Sequence, residues 1–181
     1  MAMNTMRLPG IVIVLLLTGA CAKEESPTAP TSPPVVSGPA TSFAFVSDPA
    51  SRVGRGESPT YTRGNATFQV GTDSRFISVG VVPQGATAVQ WSFTFHPPRN
   101  QILAIGTFPL AAVGSNTGHG FDFSGGGNRC VTGSGTVTIE QIFNSGGLVE
   151  HLEASFSVSC DGTPAVNGRI VLNWVTGAGY R

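Results

Sequence analysis

The sequence predicts an all-β protein. The expected architecture is an antiparallel two-sheet β-sandwich, jelly-roll or immunoglobulin-like, of about ten short strands, behind a signal and a linker. Three observations predict it. Apolar residues recur at every second position across most of residues 42–181. Only 11% of residues are charged while Gly numbers 24 and Pro 13, which leaves too few charged side chains for the outer faces of amphipathic helices. Gly, Pro, Asn and Asp clusters punctuate the chain at near-regular spacing, as the turns of a strand-rich domain require. A closed barrel is the weaker alternative.

The chain opens with an address. Arg7 is the sole charged residue before Lys23, and an apolar run from Ile11 to Leu17 leads into Thr18-Gly19-Ala20-Cys21. A basic start, a short apolar stretch and a small-residue exit make an export signal over residues 1–20. The run falls short of the ~18–20 residues of a membrane-spanning helix. Leu17-Thr18-Gly19-Ala20-Cys21 resembles the lipobox of bacterial lipoproteins, departing from it at Thr18, where Leu is usual. That resemblance implies diacylglycerol on the Cys21 thiol, cleavage before it, and attachment to the bacterial envelope through the N-terminal lipid. Ala22 in place of Asp then favours the outer membrane where the host has two. The alternative is an ordinary secretory signal cleaved around Ala20-Cys21-Ala22, which releases a soluble protein.

Residues 21–41 follow as the lipidated cysteine and a linker. From Lys23 to Thr41 the chain is rich in Pro, Ser and Thr and has no aromatic residue, so it buries too little surface to fold alone. At ~3.1 Å per residue in extended polyproline form, it spans up to about 60 Å.

Within residues 42–181, strands are predicted at 42–46, 58–62, 66–72, 76–82, 103–110, 120–124 and 136–143. A stripe of Val89, Trp91, Phe93 and Phe95 marks a further one, with Gln90, Ser92, Thr94 and His96 on its wet face. Leu152, Ala154, Phe156, Val158 and Cys160 form a second clear stripe, which sets His151 and Glu153 outward. Val166, Ile170, Leu172 and Trp174 form a third. Most of these strands are shorter than the ~9–11 residues of a transmembrane barrel.

Cys130 and Cys160 are an even pair in an exported chain. If Ser145-Gly146-Gly147 turns one strand back on the next, matching inward faces sets Val137 opposite Ala154, Ile139 opposite Leu152 and Phe143 opposite Leu148. Cys160 then falls beside Val131, and a bulge at Gly133-Ser134-Gly135 absorbs the one-residue offset to Cys130. A Cys130–Cys160 disulfide is therefore expected, contributing roughly 3–4 kcal/mol by loop closure. Buried free thiols are the alternative.

Trp91 to Pro98, the Leu103…Gly106-Thr107-Phe108…Ala111 run, Gly127-Asn128-Arg129-Cys130 and Cys160-Asp161-Gly162 are together similar to an uncharacterised exported bacterial β-sandwich domain. The resemblance covers most of residues 43–175 and departs at Asn128 and Ser159. It implies export, a sandwich and the same cysteine bridge, and no activity.

Charge and motifs then limit the chemistry. Lys+Arg 10 balance Asp+Glu 10, so a nucleic-acid footprint and a polybasic membrane patch are both excluded. Gly133-Ser134-Gly135 lacks the spacing of a nucleophile elbow and is read as a bulge. Glu140, Glu150 and Glu153 are read as outward, solvated strand charges rather than a glycosidase pair. Gly125-Gly126-Gly127-Asn128 lacks the Lys-Ser/Thr of a phosphate loop. Asp48, Asp73, Asp122 and Asp161 lie in or near turns, without the spacing of an EF-hand calcium loop. No catalytic residue, metal site or cofactor is expected. The function predicted is a non-catalytic, lipid-anchored binding or adhesion module for a protein or glycan ligand. The rivals are a structural envelope component docked in a larger assembly and a soluble secreted protein.

Overall fold

The computed structural model describes residues 40–111, 117–130 and 133–173. Cys21, the signal, most of the linker, Val131, Trp174 and Tyr180 lie outside them. Among the described residues every regular element is a strand: β1 (Ser42–Ser47), β2 (Thr60–Thr62), β3 (Ala66–Asp73), β4 (Phe76–Pro83), β5 (Trp91–His96), β6 (Gly106–Ala111), β7 (His119–Gly125), β8 (Asn128–Arg129), β9 (Gly133–Ser145), β10 (Leu148–Cys160) and β11 (Val166–Asn173).

The two expected sheets are not separately bounded. Strands run β2-β1-β11-β10-β9-β6-β7-β5-β4-β3 in one hydrogen-bonded path, with β8 added to β7, and the sheet curls nearly into a barrel. All pairs are antiparallel except β6–β7, a short parallel seam at Leu110–His119 and Ala111–Gly120. This seam is where the path passes from one half of the curled sheet to the other.

Alternation drives the curl, because each half has one apolar face to hide. Phe43 and Phe45 of β1 and Phe156 of β10 meet Trp91 and Phe93 of β5 and Phe121 and Phe123 of β7 inside. Ring centroids lie 4.6 Å apart for Phe45–Trp91, 5.5 Å for Phe93–Phe156 and 6.3 Å for Phe43–Phe123. Burying each such ring contributes ~1.5–3 kcal/mol. The Trp91 indole N–H keeps a partner, donating to the Tyr61 hydroxyl at 2.8 Å. Tyr61 is itself half-buried.

Several sequence expectations change. Val89 is 42% exposed, because β5 starts at Trp91 and Val89 instead lies over Gly80 on the outer face. Residues 103–105 precede β6, yet Leu103 is buried and its N–H bonds the Ser74 carbonyl. Loop 48–57 carries a fully buried Val53 that no periodic pattern announces.

The largest correction concerns β9 and β10. Val137 pairs with Phe156, Ile139 with Ala154, and Cys160 with Gly133, two residues from the expected register. No shift occurs at Gly133-Ser134-Gly135. The bulges lie instead at Glu140 on β9 and Glu150 on β10, each skipped by the ladder. A bulge reverses the alternation beyond it. Ile142 and Val149 therefore turn to the core, while Phe143 and Leu148 are 59% and 45% exposed.

Candidate functional site

The outer face of β9, β10 and β11 carries the most concentrated polar chemistry of the described residues. Arg169 lies opposite Ser155 in the β10–β11 ladder, so its side chain projects on the face that also carries Glu153 and His151. Its Nη2 donates to Glu153 Oε2 at 2.6 Å and its Nη1 to Glu140 Oε2 at 2.5 Å. His151 Nε2 stands 3.4 Å from the other Glu153 oxygen.

Glu153, whose outward parity predicts a solvated charge, is only 8% exposed. Its neighbours across the ladder are Val171, itself buried, and Gln141. The bulge at Glu140 re-aims that carboxylate toward the same guanidinium, as bulges commonly do. Two carboxylates on one arginine raise its pKa; the Glu140 hydrogen bond is the largest cause, partly opposed by burial. Both carboxylates are held on the one Arg169 guanidinium. What the arrangement offers is an ion-paired face ending in the exposed Phe143 and Leu148.

The other sequence candidates disperse. Cys130 and Cys160 form a disulfide with Cα atoms 5.0 Å apart, both sulfurs buried, joining the end of β10 to the β7–β8 hairpin. Ser134 lies exposed opposite Ser159 on the straight part of β9. Gly125-Gly126-Gly127-Asn128 is the turn from β7 to β8. The aspartates act locally or in pairs: Asp48 accepts from Ala50, Asp73 caps the β3–β4 turn, Asp122 pairs with Arg129 and Asp161 with Arg52. Among the described residues no three of His, Cys, Asp and Glu converge as metal ligands do. His119 stacks on Phe95 and leans on Phe108 at 4.3 Å; burial, then His96, lowers its pKa.

A shallow groove of about 350 Å³ crosses the outer face of β3, β4 and β5, lined by Gln69, Gly71, Ser78, Gly80, Val89 and Ser92. Sequence reasoning missed both this groove and the Arg169 cluster. Each needs the register between strands distant in sequence, although the outward parity of Glu153 was legible.

Fold and face together define a disulfide-linked all-β protein with an ion-paired outer surface. No known protein family, curated protein or solved structure matches the chain.

Proposed function

We propose that this chain is a non-catalytic lipoprotein of the bacterial envelope. Its curled sheet acts as a two-layered sandwich, held on the Pro-rich stalk of residues 21–41 and presenting a binding or adhesion face. The observation that carries this reading is the buried Cys130–Cys160 disulfide in a chain that opens on a lipobox-like Leu17-Thr18-Gly19-Ala20-Cys21. Disulfides persist in exported proteins and are rare in reducing cytosol, so bridge and signal point to one compartment. Phe143 and Leu148 support the binding role, since exposed apolar side chains beside a fixed polar network suit a partner surface.

The test is a Cys21→Ala variant expressed in a bacterial host and followed with a palmitate label. The expected result is loss of label and release from the envelope. Label and membrane association that survive the substitution overturn lipid anchoring. For the binding role, Phe143→Ser/Leu148→Ser is compared with wild type for retention on envelope glycans and proteins; equal retention overturns the assignment of that face.

A structural role in a larger assembly is the second reading, favoured by one observation: β3 is a long sheet edge with no strand beyond it among the described residues.

A further inference from the structure

We infer that β3 is a self-association edge, on which two copies of this chain pair β3 to β3, antiparallel, about a two-fold axis at Val70. This goes beyond the proposed function and does not depend on lipidation.

The two ends of the sheet path are treated differently. On one, the free side of β1 is covered: β2 pairs with Ser42, Phe43 and Ala44, and the chain before it accepts Phe45 N–H at Pro59 O and Ser47 N–H at Glu57 O. That covering strand is three residues long and follows a proline, both common ways of blunting an edge. At the other end, β3 runs eight residues with no Pro, Lys or Arg. Its register with β4 is continuous, without a bulge to twist the edge away.

Backbone geometry sets which groups are free. Ser74-Arg75 forms a two-residue turn closed by the Asp73–Phe76 pair. Gln84 N–H bonds Asn65 O at the far end of the same register. Odd-numbered residues of β3 therefore bond β4, and the N–H and C=O groups of Phe68, Val70 and Thr72 point away from it.

A second copy fits this edge. About Val70, Phe68 falls opposite the second copy's Thr72, and Val70 opposite the second copy's Val70. These residues exchange about six ladder bonds. Even meets even, so the inward row Phe68, Val70 and Thr72 continues across the axis. On the outer face Gln69 meets the second copy's Gly71. Asp73, the one charge on β3, meets Thr67, so no like charges face each other.

The test uses the full exported chain, non-reduced, over a concentration series. Sedimentation equilibrium is expected to show a monomer–dimer equilibrium. Amide exchange is expected to slow with concentration at Phe68, Val70 and Thr72 and to stay constant at Gln69 and Gly71, whose bonds to β4 already exist. Gln69→Lys/Gly71→Lys sets like charges opposite one another at two places and is expected to weaken association about tenfold. Gln69→Glu/Gly71→Glu does the same, and an equimolar mixture of the two double variants is expected to pair. A wild-type chain monomeric at every concentration overturns the proposal. So does a dimer whose exchange slows elsewhere, or one unaffected by either charged variant. If a charged variant fails to fold, the wild-type exchange pattern decides alone.

Discussion

Phe143 stands directly opposite His151 in the β9–β10 ladder, three residues from Leu148, the partner that strict alternation assigns it. Two of those residues come from the tight Gly146-Gly147 turn, which already pairs Leu148 with Ser145, and the third from Glu150, skipped by the ladder; Glu140 is skipped on β9 further from the turn. One extra residue per strand exchanges which side chains are buried, so Ile142 and Val149 enter the core and Phe143 and Leu148 leave it. The same bulge brings Glu140 to Arg169.

The Arg169 cluster should show measurable coupling. Arg169→Ala is expected to destabilise the domain by about 1–3 kcal/mol, because Glu153 is buried and loses its strongest donor. Exposure of nearly half of the Arg169 side chain keeps the effect below that of a fully buried pair. In a double-mutant cycle with Glu153→Gln, a coupling energy indistinguishable from zero by urea unfolding would show the pair to be incidental.

Removing the disulfide should cost more. Cys130→Ser/Cys160→Ser is expected to lose about 2–5 kcal/mol, since a 30-residue separation is closed between the β7–β8 hairpin and β10. Denaturant midpoints measure the loss, and a thiol count on unfolded, non-reduced protein should find neither cysteine free.

Gly135 should resist substitution. Its φ is +135°, and an added Cβ would sit 2.0 Å from the Ser157 carbonyl oxygen. Gly135→Ala is expected to destabilise by more than about 2 kcal/mol, through strain and an opened β9–β10 ladder. Gly71→Ala is the control: its Cβ meets the Phe76 ring at 3.7 Å and the Ser78 Cβ at 4.0 Å, both ordinary contacts, and the change is expected to be neutral within about 0.5 kcal/mol. Equal thermal midpoints for the two variants would contradict this account.

Stability should fall as acid is added, in part through His119. Burial, then His96, holds its pKa below the usual value of about 6.5. Between that value and the lower folded one, the unfolded chain binds more protons than the native chain, so unfolding gains as pH drops. The contribution is complete above about pH 6.5 and is lost as pH falls to the folded pKa. His119→Phe keeps the stacking on Phe95 and Phe108 and should flatten the slope of urea midpoint against pH in that window; an unchanged slope would assign it elsewhere.

By itself, the sequence determined the all-β class, the turn positions, and the inward faces of β5 from Trp91, the C-terminal part of β10, and β11 at Val166, Ile170 and Leu172. These follow from a period of two, a local property of neighbouring residues. It also brought Cys130 and Cys160 close, although through a register two residues off. Tertiary structure alone decided the parallel seam of β6 on β7, the single continuous path, the bulges at Glu140 and Glu150, and the meeting of Arg169 with Glu153. Each of these depends on how strands far apart in sequence align, and alternation specifies a strand's face without specifying its partner or where the ladder skips a residue.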